Sequence, residues 1–441
     1  MKYAFLIVTV LLSSCKIIQM ESLSIPVFPG AVGYGTETVA GRGGKIHLVT
    51  NLNDYGMGSL RSALEAKGPR TIVFEVGGVI KINSPIVIRH PFVTVAGQTA
   101  PSPGITIYGN RLSIYTSDVL VQHIRIRPGT PPPGADCENW DGIQITSSEE
   151  FISRRIVFDH ISVSWGVDET FQIWGEGRID KDIGPYDITI SNSIIANSLA
   201  DTCHPKGAHS MGLIIGDFAK RIAILENLFA NNNDRNPLLK SGVEAVVANN
   251  LIYNAPNCSG IGSLIVDYPS PVFASFVGNH YISGPDTKST ARLRLIGNRG
   301  GAWRQGTELY IENNLITGTS PLIDTTGFFS DKVKLVNTFP DIFSGFEPIP
   351  VEQVQEHVLR YAGARSVDPF QDPTDTKVIE NVRRGTGSIL TTDSYEEDIA
   401  SIPSTSHTLN LPDDPDGDSD NDGYTNLEEW LHELSLVVEN K

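Results

Sequence analysis

The sequence predicts an all-β fold, a parallel β-helix of short stacked coils, and three observations predict it. Helical periodicity is nearly absent from the middle of the chain, where short alternating strands recur. One polar residue aligns from strand to strand through "VQHIRI" (His123), "FDHISV" (His160), "ISNSII" (Asn192), "LENLFA" (Asn227), "ANNLIY" (Asn250), "VGNHYI" (Asn279) and "ENNLIT" (Asn314), at spacings of 37, 32, 35, 23, 29 and 35. Hairpin dipeptides such as Asn-Gly, which a β-sandwich would want between strands, are scarce. In a solenoid each coil buries its apolar face against its neighbours, and a polar residue recurring at one corner stacks into a hydrogen-bonded ladder. The shortest spacing is about one coil; the longer ones are a coil plus loops.

Taken in order, residues 1–15, "MKYAFLIVTVLLSSC", read as a secretory signal: a lysine followed by an apolar run too short to span a bilayer. Small residues before Cys15 resemble a lipoprotein signal, with Cys15 lipidated after cleavage; plain cleavage nearby is the alternative. The β-helix is expected over residues 25–390, a linker over 391–412, and a calcium-binding loop with a short helix over 413–434. "KIHLVTNL", "RTIVFEVGGVIKI", "PIVIRHPFVTVAG" and "GITIYGNRLSIYT" fit the first coils. Between the first two, Ser59 is placed to cap a short helix with Leu60 and Leu64 on one face and Gly68 at its end, covering the open end of the solenoid. A second helix is expected from Val351 to Ala364, with Val354, Val358 and Leu359 inward, packed on the coil.

The formal charge is −17, of which Gly385–Lys441 contributes −13, leaving −4 for the first 384 residues. A nearly neutral body excludes a broad grip on nucleic acid but permits a locally positive groove for a polyanion. Besides Cys15 there are three cysteines, Cys137, Cys203 and Cys258, so at most one disulfide forms among them, and their spacing suits no zinc site.

Four stretches could carry chemistry. Asp141 stands just ahead of the strand in "WDGIQI"; "FDHISVSWGVDETFQIW" holds Asp159, His160, Asp168 and Glu169; "HPKGAHSMG" sets Lys206 between His204 and His209; and "NNNDRNPLLK" carries Arg235 and Lys240 out of a strand. Asp141 and Asp168 reach equivalent corners only if the proline-rich "RPGTPPPGADCEN" is an insertion. Carboxylates brought together share a proton or hold a cation, and oxygen donors in an exported protein favour calcium. The solvated-turn reading of these acids is the alternative. His160 sits where other coils have asparagine and is expected to be a ladder residue.

"FPGAVGYG", "GRGGK", "VTNLNDYGMGSLRSALE", "VTVAGQTAPSPGI", "VLVQHIRIRPG", "FDHISVSWGVDE", "HPKGAH", "DRNPLL", "VLRYAGA" and "VRRGTG", in this order, resemble the polysaccharide lyase family 1 pectate lyases, most closely lipoprotein-like secreted members from bacteria. The resemblance implies a right-handed parallel β-helix and calcium-assisted β-elimination on de-esterified polygalacturonate. It also implies roles. Arg235 matches the proton-abstracting arginine, Lys206 the lysine on the substrate carboxylate, Asp141 and Asp168 the calcium acids, and Asp159 a structural aspartate; Glu169 is added to the calcium set. Lys240 stands where many members carry a second arginine, and His204 and His209 join Lys240 as expected substrate contacts. Asn139 and Ser164 stand where members often have acids, which predicts a weaker calcium site.

"DSDNDGYTNLEE" matches a twelve-residue calcium loop: Asp418, Asp420 and Asp422 at places one, three and five, Gly423 at the turn, then Tyr424 through its carbonyl, Asn426 and Glu429, with an exit helix over Leu427–Leu434. The expectation is a monomeric, secreted or cell-surface pectate lyase using calcium. A pectin lyase, a lyase on another uronan, and a non-catalytic glycan-binding β-helix protein are the rivals.

Overall fold

The computed structural model describes residues 25–176, 183–201, 203–256, 270–287, 305–318, 333–337, 346–366, 372–391 and 395–440, with the short strands Ile261–Gly262 and Ile296–Gly297. The proposed signal segment with Cys15, and Cys258, lie outside the described residues. Three long sheets of eleven, ten and six strands run along the molecule, and consecutive strands in each come from consecutive coils. Their pairing is parallel throughout, except where Thr405–Ser406 adds antiparallel to Val76–Gly77. This is the right-handed parallel β-helix that the strand pattern and the resemblance implied.

Inward residues are mostly Ile, Val, Leu and Phe, and one core cluster runs from Val49 to Leu309. The register Phe158↔Ile190↔Ile224↔Val247↔Phe276 shows the mechanism: a position that is apolar in one coil stacks on the apolar side chain of the next.

The corner ladder corrects the sequence alignment by one residue. Asn227 donates to Asn250 at 3.0 Å, Asn250 to Asn279 at 3.0 Å, and Asn279 to Asn314 at 2.9 Å. On the preceding coil the backbone N–H that Asn227 accepts belongs to Ser193, at 2.9 Å, so Ser193 and not Asn192 continues the column. His123, His160 and Asn192 occupy the position just before it, together with Glu226, Asn249, Gly278 and Asn313, and all seven have φ between 47° and 60°. The corner needs a left-handed residue followed by a ladder residue, and asparagine suits both, so the sequence merged two columns. A second amide column joins Asn197, Asn231 and Asn254 at 2.9 and 3.0 Å. At the third corner, left-handed Asp118, Arg155, Asp187 and Arg221 pair by charge, Arg155 on Asp118 and Arg221 on Asp187.

Five helices are seen among the described residues: α1 (Leu60–Leu64), α2 (Val351–Tyr361), α3 (Pro373–Arg384), α4 (Glu396–Ala400) and α5 (Asn426–Glu439). None is long and apolar enough to cross a membrane. Ser59 caps α1, and α2 buries Val354, Val358 and Leu359 as expected. α3 went unread in the sequence. Asp372 caps it, and Asp372 and Asp375 hold the buried guanidinium of Arg127 at 2.5 and 3.0 Å.

The segment read as a linker carries α4 and the strand Thr405–Ser406 back to the first coils. There α5 docks: Leu427 and Leu431 pack on Val73 and Ala96, Glu428 pairs with Arg42 at 2.8 Å, and Gln98 donates to Ser435 at 3.1 Å. α5 runs five residues beyond the expected exit helix, and Glu439 ends within 3.3 Å of His123 and 3.5 Å of His160. The two imidazoles stack at 5.1 Å, fully buried.

Candidate active site

The site lies at the N-terminal ends of the six-stranded sheet, whose order is Leu238–Leu239, Met211–Ile215, Glu169–Gly175, Ile143–Ser147, Leu112–Ile114 and Ile86–Ile88. The pairings Ile143↔Phe171, Glu169↔Met211 and Met211↔Asp234 put Asp141, Asp168–Glu169, His209 and Arg235 at the same corner of successive coils. The proline-rich insertion makes this register fit, as the spacing required. It leaves the coil after Arg127 and returns through a turn of 3-10 helix at Cys137–Asn139, with Trp140 Nε1 donating to Gly129 O at 2.8 Å. Gly142 follows because a Cβ there would stand 2.5 Å from Thr170 O.

Asp141, Asp168 and Glu169 each bring a carboxylate oxygen within 4.8 Å of the others. Asp141 is wholly buried; its Oδ1 accepts the Glu169 N–H at 3.1 Å, while Oδ2 makes no hydrogen bond. Burial and then the Asp168 charge push the Asp141 carboxyl well above the usual carboxylate range, against the pull of Arg111 and Arg235. A buried acid raised by its neighbour, with an unbonded Oδ2 on Asp141 beside the carboxylates of Asp168 and Glu169, is a donor set that fits a hard cation.

Arg235 is delivered by a rigid turn. The "NNNDRN" segment follows the strand Leu228–Ala230 and is tied by Asn231 in the second amide column, by Asn232 donating to Ile195 O at 2.8 Å, and by Asp234 accepting the Arg235 N–H at 2.8 Å. Arg235 takes φ 61° at the corner, and its guanidinium, 14% exposed, contacts Glu169 and lies 3.9 Å from Asp168.

Lys206 is exposed on the loop between His204 and His209, and its backbone N–H donates to His204 Nδ1 at 3.2 Å. Burial first, then the charges of His209 and Lys206, push the His204 imidazole down against the opposing pull of Asp168. A disulfide between Cys203 and Cys137 ties this loop to the insertion that ends at Asp141. Lys240, expected on the substrate, is buried, with Nζ 2.8 Å from Asp217 and 4.1 Å from the centre of the Trp174 ring. Its charge is therefore already matched within the protein. Asn139 and Ser164, at the two places where acids were missing, offer none: Asn139 is exposed and donates to Asp136, and Ser164 is buried.

Sequence reading missed Arg111, Asp217 and Trp174. Trp174 alone left a signal, being a large aromatic at an outward position of an alternating strand. Asp159 sits away from this cluster. It accepts from His160 at 2.8 Å, Ser191 at 2.8 Å and Asn192 at 3.0 Å; burial raises its carboxyl, but the charge of His160 and the hydrogen bonds from His160 and Asn192 hold it below the usual range.

The fold and site define a parallel β-helix protein with paired carboxylates and an arginine converging on one sheet end, and the relatives narrow that class. No family model matches the chain. "Probable pectate lyase C" of Aspergillus flavus is 34% identical, over 96% of this chain and 97% of its own length; that of Emericella nidulans is 32% identical, over 94% of each. Pectate lyase 5 of Ambrosia artemisiifolia is 27% identical over 66% of this chain. Among solved structures, the cedar-pollen allergen jun a 1 superposes with a TM-score of 0.53 at 17% identity, covering 76% of this chain and 92% of its own. A Bacillus subtilis pectate lyase gives 0.53 at 15% identity, covering 77% and 98%. The chain belongs to the pectate lyase family. The expected leaning toward bacterial lipoprotein-like members finds no support in the relatives that cover nearly the whole chain, which are fungal.

Proposed function

We propose that this chain is an extracellular pectate lyase that cleaves de-esterified polygalacturonate by β-elimination. The observation that carries the reading is the convergence of Asp141, Asp168, Glu169 and Arg235 at one end of the six-stranded sheet. In the reaction the C5 proton of a galacturonate leaves, the C4–O bond breaks, and an unsaturated sugar forms. Asp141, Asp168 and Glu169 are the residues that would hold calcium, which when bound would draw charge from the substrate carboxylate and so acidify the C5 proton.

Arg235 is the group assigned to the C5 proton. A guanidinium accepts the C5 proton only after giving up one of its own to solvent, which the contacts with Glu169 and Asp168 oppose; kept charged, Arg235 instead stabilises the enolate while hydroxide takes the C5 proton. Lys206, exposed and flanked by His204 and His209, is assigned to the substrate carboxylate. Lys240 is assigned a positioning role through Asp217 and Trp174.

A second calcium is assigned to Asp418, Asp420, Asp422, the Tyr424 carbonyl, Asn426 and Glu429. Support comes from the clustering of the first three acids and from the rise of the Glu429 carboxyl, which desolvation and then the charges of Asp420, Asp422 and Asp418 push up. Export is assigned to residues 1–15.

Incubation with polygalacturonate, with and without chelator, tests the reading by the ultraviolet absorbance of unsaturated product. Wild type is expected to be active only with calcium, and Arg235→Ala to lose about 100-fold or more in rate while keeping its melting temperature. Silence from calcium-replete wild type would point to a binding protein or another uronan.

A further inference from the structure

The loop that carries Lys206 is closed at both ends by imidazoles. His204 and His209 are buried, their rings stack with centroids 3.9 Å apart and planes 9° apart, and both turn Nε2 toward one oxygen, Asp168 Oδ1, at 3.6 and 2.7 Å. The ligating atoms of the three residues lie within 4.8 Å of one another. Neither Asp168 Oδ1 nor His209 Nε2 makes an aligned hydrogen bond, although both atoms are buried.

The frame around them is fixed. The His209 N–H donates to Ala200 O at 3.3 Å, Asn233 Nδ2 donates to His209 O at 3.0 Å, and Cys203, next to His204, is disulfide-bonded to Cys137. Calcium takes oxygen donors, whereas two imidazoles with one carboxylate suit a first-row transition cation. The all-oxygen set of Asp141, Asp168 and Glu169 and this mixed set therefore differ in what they select, and Asp168 belongs to both.

We propose that Asp168, His204 and His209 form a second cation site, which takes a divalent first-row transition metal through two Nε2 atoms and one carboxylate oxygen. Binding at His204 Nε2 requires that ring's proton to sit on Nδ1, where the Lys206 backbone N–H now donates. That hydrogen bond breaks when the metal enters. Occupancy is thereby coupled to the backbone of Lys206, the residue assigned to the substrate. The inference uses the same corner of the molecule as the lyase reading, but it rests on the nitrogen donors and not on any activity.

The test is titration of chelator-treated full-length protein with Co2+ in saturating Ca2+, followed by the visible absorption of nitrogen-ligated cobalt. One cobalt per chain is expected, displaced by Zn2+ and resistant to millimolar Ca2+. His209→Ala and the more conservative His209→Gln, each with an unchanged melting curve, are expected to weaken it at least tenfold, while Asp418→Asn with Asp420→Asn leaves it intact. A cobalt spectrum that is absent, that calcium abolishes, or that the His209 variants retain would overturn the proposal. Calcium-dependent lyase activity without cobalt binding would sink this site alone, and cobalt binding in an inactive protein would sink only the lyase reading.

Discussion

Arg235 and Asn250 show how single residues are committed here. Arg235 occupies a left-handed corner that an unbranched side chain tolerates at some cost, and the amides around it hold it there. Asn250 stands mid-ladder, accepting from Asn227 and donating to Asn279 and to the Ile224 carbonyl, with no exposure at all. Replacing it by alanine strands several buried partners, and a loss of about 1–3 kcal/mol in denaturant unfolding is expected. Asn313→Ala, at the neighbouring corner column, should cost less, because Asn313 is exposed and its position asks mainly for a left-handed backbone. Equal losses at the two positions would contradict the two-column account.

At the scale of elements, α5 is the informative case. Its N-terminus is a capping box of Thr425 and Glu428 that follows directly on the acidic loop, and its apolar face lies on the first coils. Chelation should raise amide exchange across 418–439 and leave the central strands unchanged; exchange that ignores calcium would remove the loop's assigned role. His432 lies on α5 against Tyr424, and burial, then Arg42, pushes its pKa down to about 4. A docked pKa below the free value of about 6.5 means that the undocked helix binds more protons, so docking is fully favoured above about pH 6.5 and weakens as pH falls toward 4. The expected observation, in excess calcium, is faster exchange of α5 at pH 5 than at pH 7.5, with the difference reduced in His432→Gln.

For the whole molecule, coil-on-coil stacking makes stability a sum of neighbouring contacts. The central rungs bury Phe158, Ile190, Ile224 and Val247 completely, whereas the last rung leaves Leu335 about half exposed. Exchange is expected to be slowest from about residue 156 to 252 and to quicken through the strands Thr307–Glu312 and Val333–Leu335. Uniform protection from end to end would mean that the coils open as one unit. At the other end α1, α5 and the returning strand cover the first coils, so the acidic tail belongs to the cap of the solenoid.

The sequence by itself determined the repeat: alternating strands and a recurring corner amide specify coils, because each coil meets only a copy of its own pattern. It also marked Asp141, Asp168, Glu169, Lys206 and Arg235, since charges at strand ends in glycine- and proline-rich turns stand out against an apolar scaffold. Only the tertiary structure decided which column each corner residue joins, since asparagine satisfies both. Three-dimensional packing likewise set Lys240 on Asp217, Cys137 on Cys203, Arg127 on Asp372 of α3, and Glu439 beside His123 and His160. Those partners lie 23, 66, 245 and about 300 residues apart, and no local pattern encodes a contact between surfaces that meet only once the coils are wound.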